Sequence, residues 1–166
     1  MNGDKKFLIG VVAVVIALAL VSAAVNLVID PYGVHRLVEI EGFNAVKPSA
    51  QGNLRLAKAY NITSQRPAGV LLGNSRVEQG FNPAGAAVRF HRSVYNAGLP
   101  GSTIYENYRY LQHAARRGGL KVAVLGLDIF AFNTSMFRQA SNFSEGRLAV
   151  QLDGQATPLW NLARFR

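Results

Sequence analysis

Apolar and charged positions divide the chain into one uninterrupted apolar run and a longer alternating part. From Phe7 to Ile29 no charged side chain interrupts the sequence FLIGVVAVVIALALVSAAVNLVI. This length matches the ~20 residues that a helix needs to cross the hydrocarbon of a bilayer. A signal peptide cleaved near Val21-Ser22-Ala23 is the competing interpretation, but its apolar core would span only ~7–15 residues. We therefore predict an uncleaved transmembrane anchor over 7–29.

The charges that flank this run predict its orientation. Lys5 and Lys6 precede it, whereas Asp30 follows it. The positive-inside rule then keeps residues 1–6 in the cytoplasm and exports everything after residue 30. The chain contains no cysteine, which fits an exported domain that needs no disulfide.

Residues 30–68 show only weak periodicity and are predicted to form a stalk that packs against the following domain. The stretch DPYG, residues 30–33, has proline and glycine at the second and fourth places of a turn, so the chain should bend sharply there. One short helix is expected near Leu54 to Tyr60.

From Val70 onward, short apolar runs alternate with helical patterns. VLLG and SVYN are predicted strands, PAGAAVRF is a predicted short helix, and KVAVLGLDIF reads as a strand buried on both faces of a parallel sheet. A longer helix is expected after Ser102 as its cap, with one apolar face at Ile104, Tyr108, Leu111 and Ala115. This alternation predicts a doubly wound α/β core over 69–133. No regular structure is predicted for 134–166.

The formal charge of +9 indicates a basic exported part. Nucleic acid is not expected as its partner, because an exported domain rarely meets it and the chain has no aromatic-basic binding motif. Anionic lipid headgroups or acidic envelope polymers fit this charge better, and a solvated basic surface without a partner is the alternative. Metal-ligand spacings, phosphate loops and dinucleotide fingerprints are absent from the sequence, so no cofactor is expected.

Candidate chemistry follows the three predicted strands. Ser75 comes after the first strand, Asn96 with Gly98 and Gly101 after the second, and Asp128 after the third. The carboxyl ends of parallel strands share one edge, where ligands usually bind. A nucleophilic serine needs a base and donors for the oxyanion, which backbone N–H groups and an asparagine can supply. The alternative is that Ser75 is an ordinary turn residue that hydrogen-bonds its own backbone.

The blocks GNSRVEQG, YNAGLPGSTIYE and VLGLDIFAFN, in this order after an anchor and DPYG, resemble the SGNH/GDSL hydrolase-like superfamily. The closer likeness is to membrane-anchored bacterial proteins of teichoic acid D-alanylation and alginate O-acetylation. The resemblance implies a three-layer, flavodoxin-like domain at the bacterial cytoplasmic membrane. It also implies Ser75 as nucleophile, Gly98 or Gly101 as second oxyanion donor and Asn133 as third. Asp128 stands where the superfamily more often has an asparagine-aspartate pair, and its alternative role is a carboxylate that accepts nearby backbone N–H groups.

The base of that superfamily is a histidine in an Asp-x-x-His motif near the end of a longer domain. No histidine follows His113 in this chain, so the resemblance is to a C-terminally truncated member. His35, His91 and His113 are each expected to be surface or packing residues. Two functions follow as alternatives: a catalytically incomplete accessory subunit of a larger membrane complex, or a serine esterase or O-acyltransferase acting on an envelope glycan or lipid through Ser75.

Overall fold

The computed structural model describes residues 3–33, 37–117, 119–132 and 143–150. The chain forms two compact units, Met1–Gly52 and Asn53–Arg166. His35 and Asn133, both considered above, lie outside the described residues.

The first unit contains one long apolar helix, α1, from Gly3 to Ile29. None of its residues is buried, and it is the one described helix long and apolar enough to cross a membrane. At 1.5 Å per residue it extends for about 40 Å, more than the ~30 Å of a bilayer's hydrocarbon core. The predicted helix over 7–29 is therefore confirmed.

Side chains from the following segment cap the C-terminal end of α1. Asn44 Nδ2 donates to the carbonyl of Val28 at 2.6 Å, and Lys47 Nζ donates to that of Ile29 at 2.9 Å. The last carbonyls of a helix have no partner within the helix, and a cation near them also favours the helix dipole. A helical turn, α2, spans Pro48–Gly52 and ends this unit.

The second unit alternates helices and strands. Its elements are α3 (Leu54–Gln65), β1 (Gly69–Leu72), α4 (Ser75–Gly80), α5 (Pro83–Phe90), β2 (Val94–Asn96), α6 (Ile104–Arg116), β3 (Val122–Leu125), and the 3-10 turns Ile129–Phe132 and Glu145–Arg147. The three predicted strands and the helix beginning at Pro83 are confirmed, but the third strand ends at Leu125, and Ile129, which was expected to belong to it, begins a 3-10 turn. The helix α4 was not predicted, and α3 runs several residues beyond the expected Tyr60.

The three strands form one parallel sheet in the order β2-β1-β3. Gly69 is opposite Val94 on one side and Val122 on the other. Helix α6 packs against β1, α3 against α6, and α5 against β2. The mixed α/β class and the parallel sheet predicted from the alternating pattern are therefore confirmed.

Strand β3 departs from its predicted burial. Its residues alternate between partly buried and exposed, with Leu125 on the exposed side, so the expected burial on both faces is wrong. Strand β1 is central and fully buried, whereas β3 pairs only with β1 among the described strands. An edge strand covered on one face shows this period-two pattern.

The core lies between β1, α3 and α6. Val70 and Leu72 of β1 pack with Ile62 of α3 and Tyr110 of α6. Leu148, which lies in a segment for which no regular structure was predicted, is buried in the same cluster. Residues 143–150 therefore contribute to the core despite their lack of periodicity.

Helix α6 buries a different face from the one predicted. Ile104, Tyr108 and Ala115 are exposed, whereas the buried face is largely polar and comprises Glu106, Asn107, Arg109, Tyr110, His113 and Ala114. The predicted cap is also wrong, because Thr103 is the N-cap and accepts from the N–H of Glu106. Ser102 instead donates from Oγ to the carbonyl of Gly73 at 2.9 Å.

Candidate functional site

Ser75 is the first residue of α4, directly beyond the carboxyl end of β1. The turn that leads into it needs Gly73, whose φ of 150° is rarely adopted by residues with a side chain. A Cβ at Gly73 or at Gly126 would also overlap Val77 Cγ2, so Val77 fills the space between the ends of β1 and β3. Ser75 itself is half-buried. Within the part of the chain that the structure describes, its Oγ has no hydrogen-bond partner.

Asn74 and Asp128 join the turn after β1 to the turn after β3. Asn74 Oδ1 accepts from the N–H of Arg76 at 2.9 Å and caps α4, while its Nδ2 donates to Asp128 Oδ2 at 3.0 Å. Arg76 Nη1 donates to the same carboxylate oxygen at 2.5 Å. The Asp128 carboxylate is therefore held by side chains that flank Ser75 in sequence.

The loop after β2 is bound to the same edge. Asn96 Nδ2 donates to the carbonyls of Val77 and Phe81, both at 2.9 Å, near the end of α4. The N–H of Leu99 donates to Gly73 at 2.8 Å, the carbonyl that also accepts from Ser102. The three strand ends that carry Ser75, Asn96 and Asp128 thus meet at one edge, as predicted.

The predicted oxyanion donors differ in their surroundings. The N–H of Gly98 donates to Asn96 Oδ1 at 2.9 Å, and Gly98 is buried against the backbone of Glu78, where a Cβ would not fit. Gly101 is exposed, with a φ of 63° that suits glycine. Asn133 lies outside the described residues. The roles of Ser75, Gly98, Gly101, Asn133 and Asp128 in catalysis stay predictions.

Neither described histidine is placed to activate Ser75. His91 is exposed and precedes β2, at the opposite edge of the sheet. His113 is fully buried in α6. Its Nδ1 accepts from the N–H of Ala149 at 2.8 Å, so Nε2 carries the proton and donates to the carbonyl of Ala59 at 2.9 Å. Burial lowers the pKa of His113 to about 4, which keeps the ring neutral.

Lys58 is a buried cation at this edge that the sequence did not single out. Its Nζ donates to the carbonyl of Gly98 and lies 3.9 Å from Glu78 Oε1. Burial lowers the pKa of Lys58 to about 8, although the charge of Glu78 raises it in part. The available signal was its spacing of three residues from Arg55 on one face of α3.

A buried ion pair supports the Gly98–Gly101 loop from α3. Arg55 Nη2 donates to Glu106 Oε2 at 2.9 Å and to the carbonyl of Pro100 at 3.1 Å. The Glu106 side chain is fully buried. The loop between β2 and α6 is thus held by groups on α3, α4 and β1.

Chemically, this edge presents a serine hydroxyl, a carboxylate paired with arginine and a buried lysine. Among the described residues, no three His, Cys, Asp or Glu side chains are grouped so as to hold a metal ion. No family model, no curated protein and no solved structure matches the chain.

Proposed function

We propose that this protein is a single-pass, membrane-anchored exported domain that is catalytically incomplete and serves as an accessory subunit of a larger membrane complex. Its second unit is proposed to be a three-layer domain of SGNH-like type. The N-terminus is proposed to be cytoplasmic, with the second unit outside the bacterial cytoplasmic membrane, since Lys5 and Lys6 precede α1.

The proposal rests on the positions and hydrogen-bond partners of the two described histidines. A serine esterase needs a base within hydrogen-bond reach of its hydroxyl. His91 is at the far edge of the sheet, and both ring nitrogens of His113 are occupied by the backbone of Ala59 and Ala149. Neither described histidine can therefore serve as the base that Ser75 would need as a nucleophile.

Membrane anchoring is supported by the segment that caps α1. Leu37, Ile40, Phe43 and Val46 are all exposed, although the same segment supplies Asn44 and Lys47 to the end of the helix. Apolar side chains that surround the end of a membrane-spanning helix suit the lipid–water interface. In water the same side chains would form an unfavourable exposed patch.

A protein partner is supported by the outer side of β3 and the turn after it. Leu125, Leu127 and Ile129 are exposed at alternate positions, and Phe132 is exposed shortly after. Large apolar side chains that are exposed close together in the sequence in this way are typical of interaction sites. Among the described strands β3 pairs only with β1, and an edge strand of this kind can add a further strand from another chain.

The test is site-specific photo-crosslinking in native membranes. A photoreactive phenylalanine analogue replaces Ile129, which is 80% exposed, and in a matched control replaces Val88 of α5, which is 75% exposed. We expect one crosslinked species of defined mass from position 129 and none from position 88, together with comigration in a stoichiometric membrane complex. A protein that runs alone after mild solubilisation and gives no crosslink from 129 would contradict the proposal.

The alternative function is an esterase or O-acyltransferase that acts on an envelope glycan or lipid through Ser75. Lys58 favours it, because its Nζ is bonded to the Gly98 carbonyl at the same edge of the sheet, and a pKa of about 8 leaves the amine partly neutral near physiological pH, so that it can accept a proton. In this mechanism Ser75 Oγ loses its proton to the base and attacks the acyl carbon, and the alcohol leaves with that proton. Water, or the hydroxyl of an acceptor, then attacks the acyl-serine, loses its proton to the base and releases the acid or the new ester, and the base returns the proton to Ser75 Oγ. Ester hydrolysis that rises with pH toward about 8 and is lost in both Ser75→Ala and Lys58→Met would support this function.

A further inference from the structure

Acidic side chains of the second unit are all engaged by cations in the part of the chain that the structure describes. Each of the four lies within 4.0 Å of a basic partner: Lys58–Glu78 at 3.9 Å, Arg55–Glu106 at 2.9 Å, Arg76–Asp128 at 2.5 Å and Arg109–Glu145 at 2.7 Å. The excess positive charge of this unit is therefore carried by basic side chains other than these four.

The opposite edge of the sheet, where the strands begin, carries that charge. The backbone of Ala68 joins the three strand starts: its carbonyl accepts from the N–H of Lys121 at 2.7 Å, and its N–H donates to Ser93 Oγ at 3.1 Å. Arg66 is two residues before Ala68, and Arg92 is next to Ser93. Three cations thus lie within two residues of one junction.

Helices α5 and α6 end at the same edge, and further arginines lie in or just after their last turns. In a parallel α/β layer each helix runs antiparallel to the strands, so its last turn lies where the next strand begins. We name the resulting set the basic edge: Arg66, Arg89, Arg92, Arg116, Arg117 and Lys121. Five of the six are exposed, and no described acidic side chain is within ion-pair distance of any of them.

Arg66 and Arg117 form the centre of the basic edge. They follow the last turns of α3 and α6, which pack against each other. Arg117 buries its Nε and Nη2 without an acceptor in this structure. Burial and the nearby charge of Arg66 both lower the pKa of Arg117. This direction is expected for a guanidinium group that has no acidic side chain beside it among the described residues. An anion between the two guanidinium groups would supply the missing acceptor.

We propose that the basic edge binds phosphate-class oxyanions, with Arg66 and Arg117 as the central pair. The planar guanidinium fork matches the spacing of phosphate oxygens and binds them in bidentate fashion. The other four cations, spread along the edge, suit an array of phosphodiesters. Such an array is offered by an anionic lipid surface or by a soluble phosphate-bearing polymer. The inference goes beyond the proposed accessory function and does not depend on Ser75, which lies at the other edge.

The test compares binding to the full chain in nonionic detergent micelles. One arm adds phosphatidylglycerol to the micelles, with phosphatidylcholine as the neutral reference, and the other adds water-soluble glycerol phosphate. Arg66→Gln/Arg117→Gln is compared with Arg76→Gln, an exposed arginine at the opposite edge. We expect the double variant to weaken binding by about tenfold or more, the loss typical of charge-assisted contacts, and Arg76→Gln to change it less than about twofold.

Weakening in the lipid arm alone would identify a headgroup layer as the source of phosphate, and weakening in both arms would show that the free group is sufficient. Equal binding by the double variant and the wild type in both arms would overturn the inference, as would an equal loss in Arg76→Gln. If circular dichroism shows that the double variant does not fold, Arg92→Gln/Lys121→Gln takes its place. Both of those side chains are exposed and belong to the basic edge.

Discussion

Asn74 donates from its side-chain amide to the carboxylate of Asp128 at 3.0 Å, and so connects the end of β1 to the end of β3. Its other side-chain atom, Oδ1, caps α4 at the same time. One amide thus fixes both the helix that begins with Ser75 and the neighbouring strand end.

Replacing Asn74 should therefore destabilise the protein more than replacing an ordinary cap. Asn82 caps α5 with the same bond to the second N–H beyond it, at 2.9 Å, and serves as the matched control. We expect Asn82→Ala to lower the free energy of unfolding by about 1 kcal/mol, and Asn74→Ala by about 2 kcal/mol or more. Denaturant titration of the full chain in detergent measures both. Equal losses would show that the link to Asp128 contributes nothing.

The ion pair of Arg55 with Glu106 is buried, so removing one partner leaves an uncompensated charge. Glu106→Gln keeps the shape of the side chain and should lower the free energy of unfolding by about 3–5 kcal/mol. The control is Arg92→Gln, which replaces an exposed arginine in the loop before β2 and should change the free energy of unfolding by less than about 0.5 kcal/mol. A Glu106→Gln loss as small as that of the control would contradict the structural role of the buried pair.

His113 predicts a particular dependence of stability on pH. Its pKa is about 4 in the folded protein and 6.5 in the unfolded chain. Between these values the unfolded chain binds more protons, so stability rises with pH from about 4 to 6.5, by roughly 3 kcal/mol in total. His113→Gln should flatten this rise, whereas exposed His91→Gln should leave it unchanged. Thermal unfolding at a series of pH values distinguishes them, and identical pH profiles for both variants would refute the prediction.

Gly126 is predicted to be intolerant of a side chain because Val77 occupies the space next to it. Gly126→Ala should lower the free energy of unfolding by about 1–3 kcal/mol through overpacking. Adding Val77→Ala should recover part of that loss, since it removes the overlapping methyl groups. Gly85→Ala in α5, with open space around it, should be neutral or stabilising. If the losses of unfolding free energy caused by Gly126→Ala and by Val77→Ala simply add in the double variant, the two side chains do not overlap and the prediction is wrong.

These residues show which parts of the structure the sequence can predict. The long apolar N-terminal helix, the parallel strands and the α5 start at Pro83 follow local rules of hydrophobicity and turn chemistry, and all three are confirmed. The buried face of α6 does not follow them. Glu106 and His113 are buried because Arg55 and the backbone at Ala59 and Ala149 satisfy them, and those partners come from distant parts of the chain.

The candidate site, too, is predicted by local sequence rules only in part. The meeting of Ser75, Asn96 and Asp128 at one edge follows from parallel strands alone. The engagement of the Gly98 N–H by Asn96, and the burial of Lys58 beside Gly98, depend on tertiary contacts that no local pattern contains. Residues 143–150 likewise enter the core through Leu148, without any periodicity that would predict it.

The central proposal is that Ser75 has the position but not the activation of a nucleophile, and one measurement tests it directly. The native protein, in its own membranes, is treated with a fluorophosphonate serine probe beside a Ser75→Ala variant that is shown to be folded. We expect no labelling of the wild type above that of the variant, because neither described histidine can take the proton from Ser75. Labelling of the wild type that disappears in Ser75→Ala would contradict the proposal and establish that a base reaches Ser75.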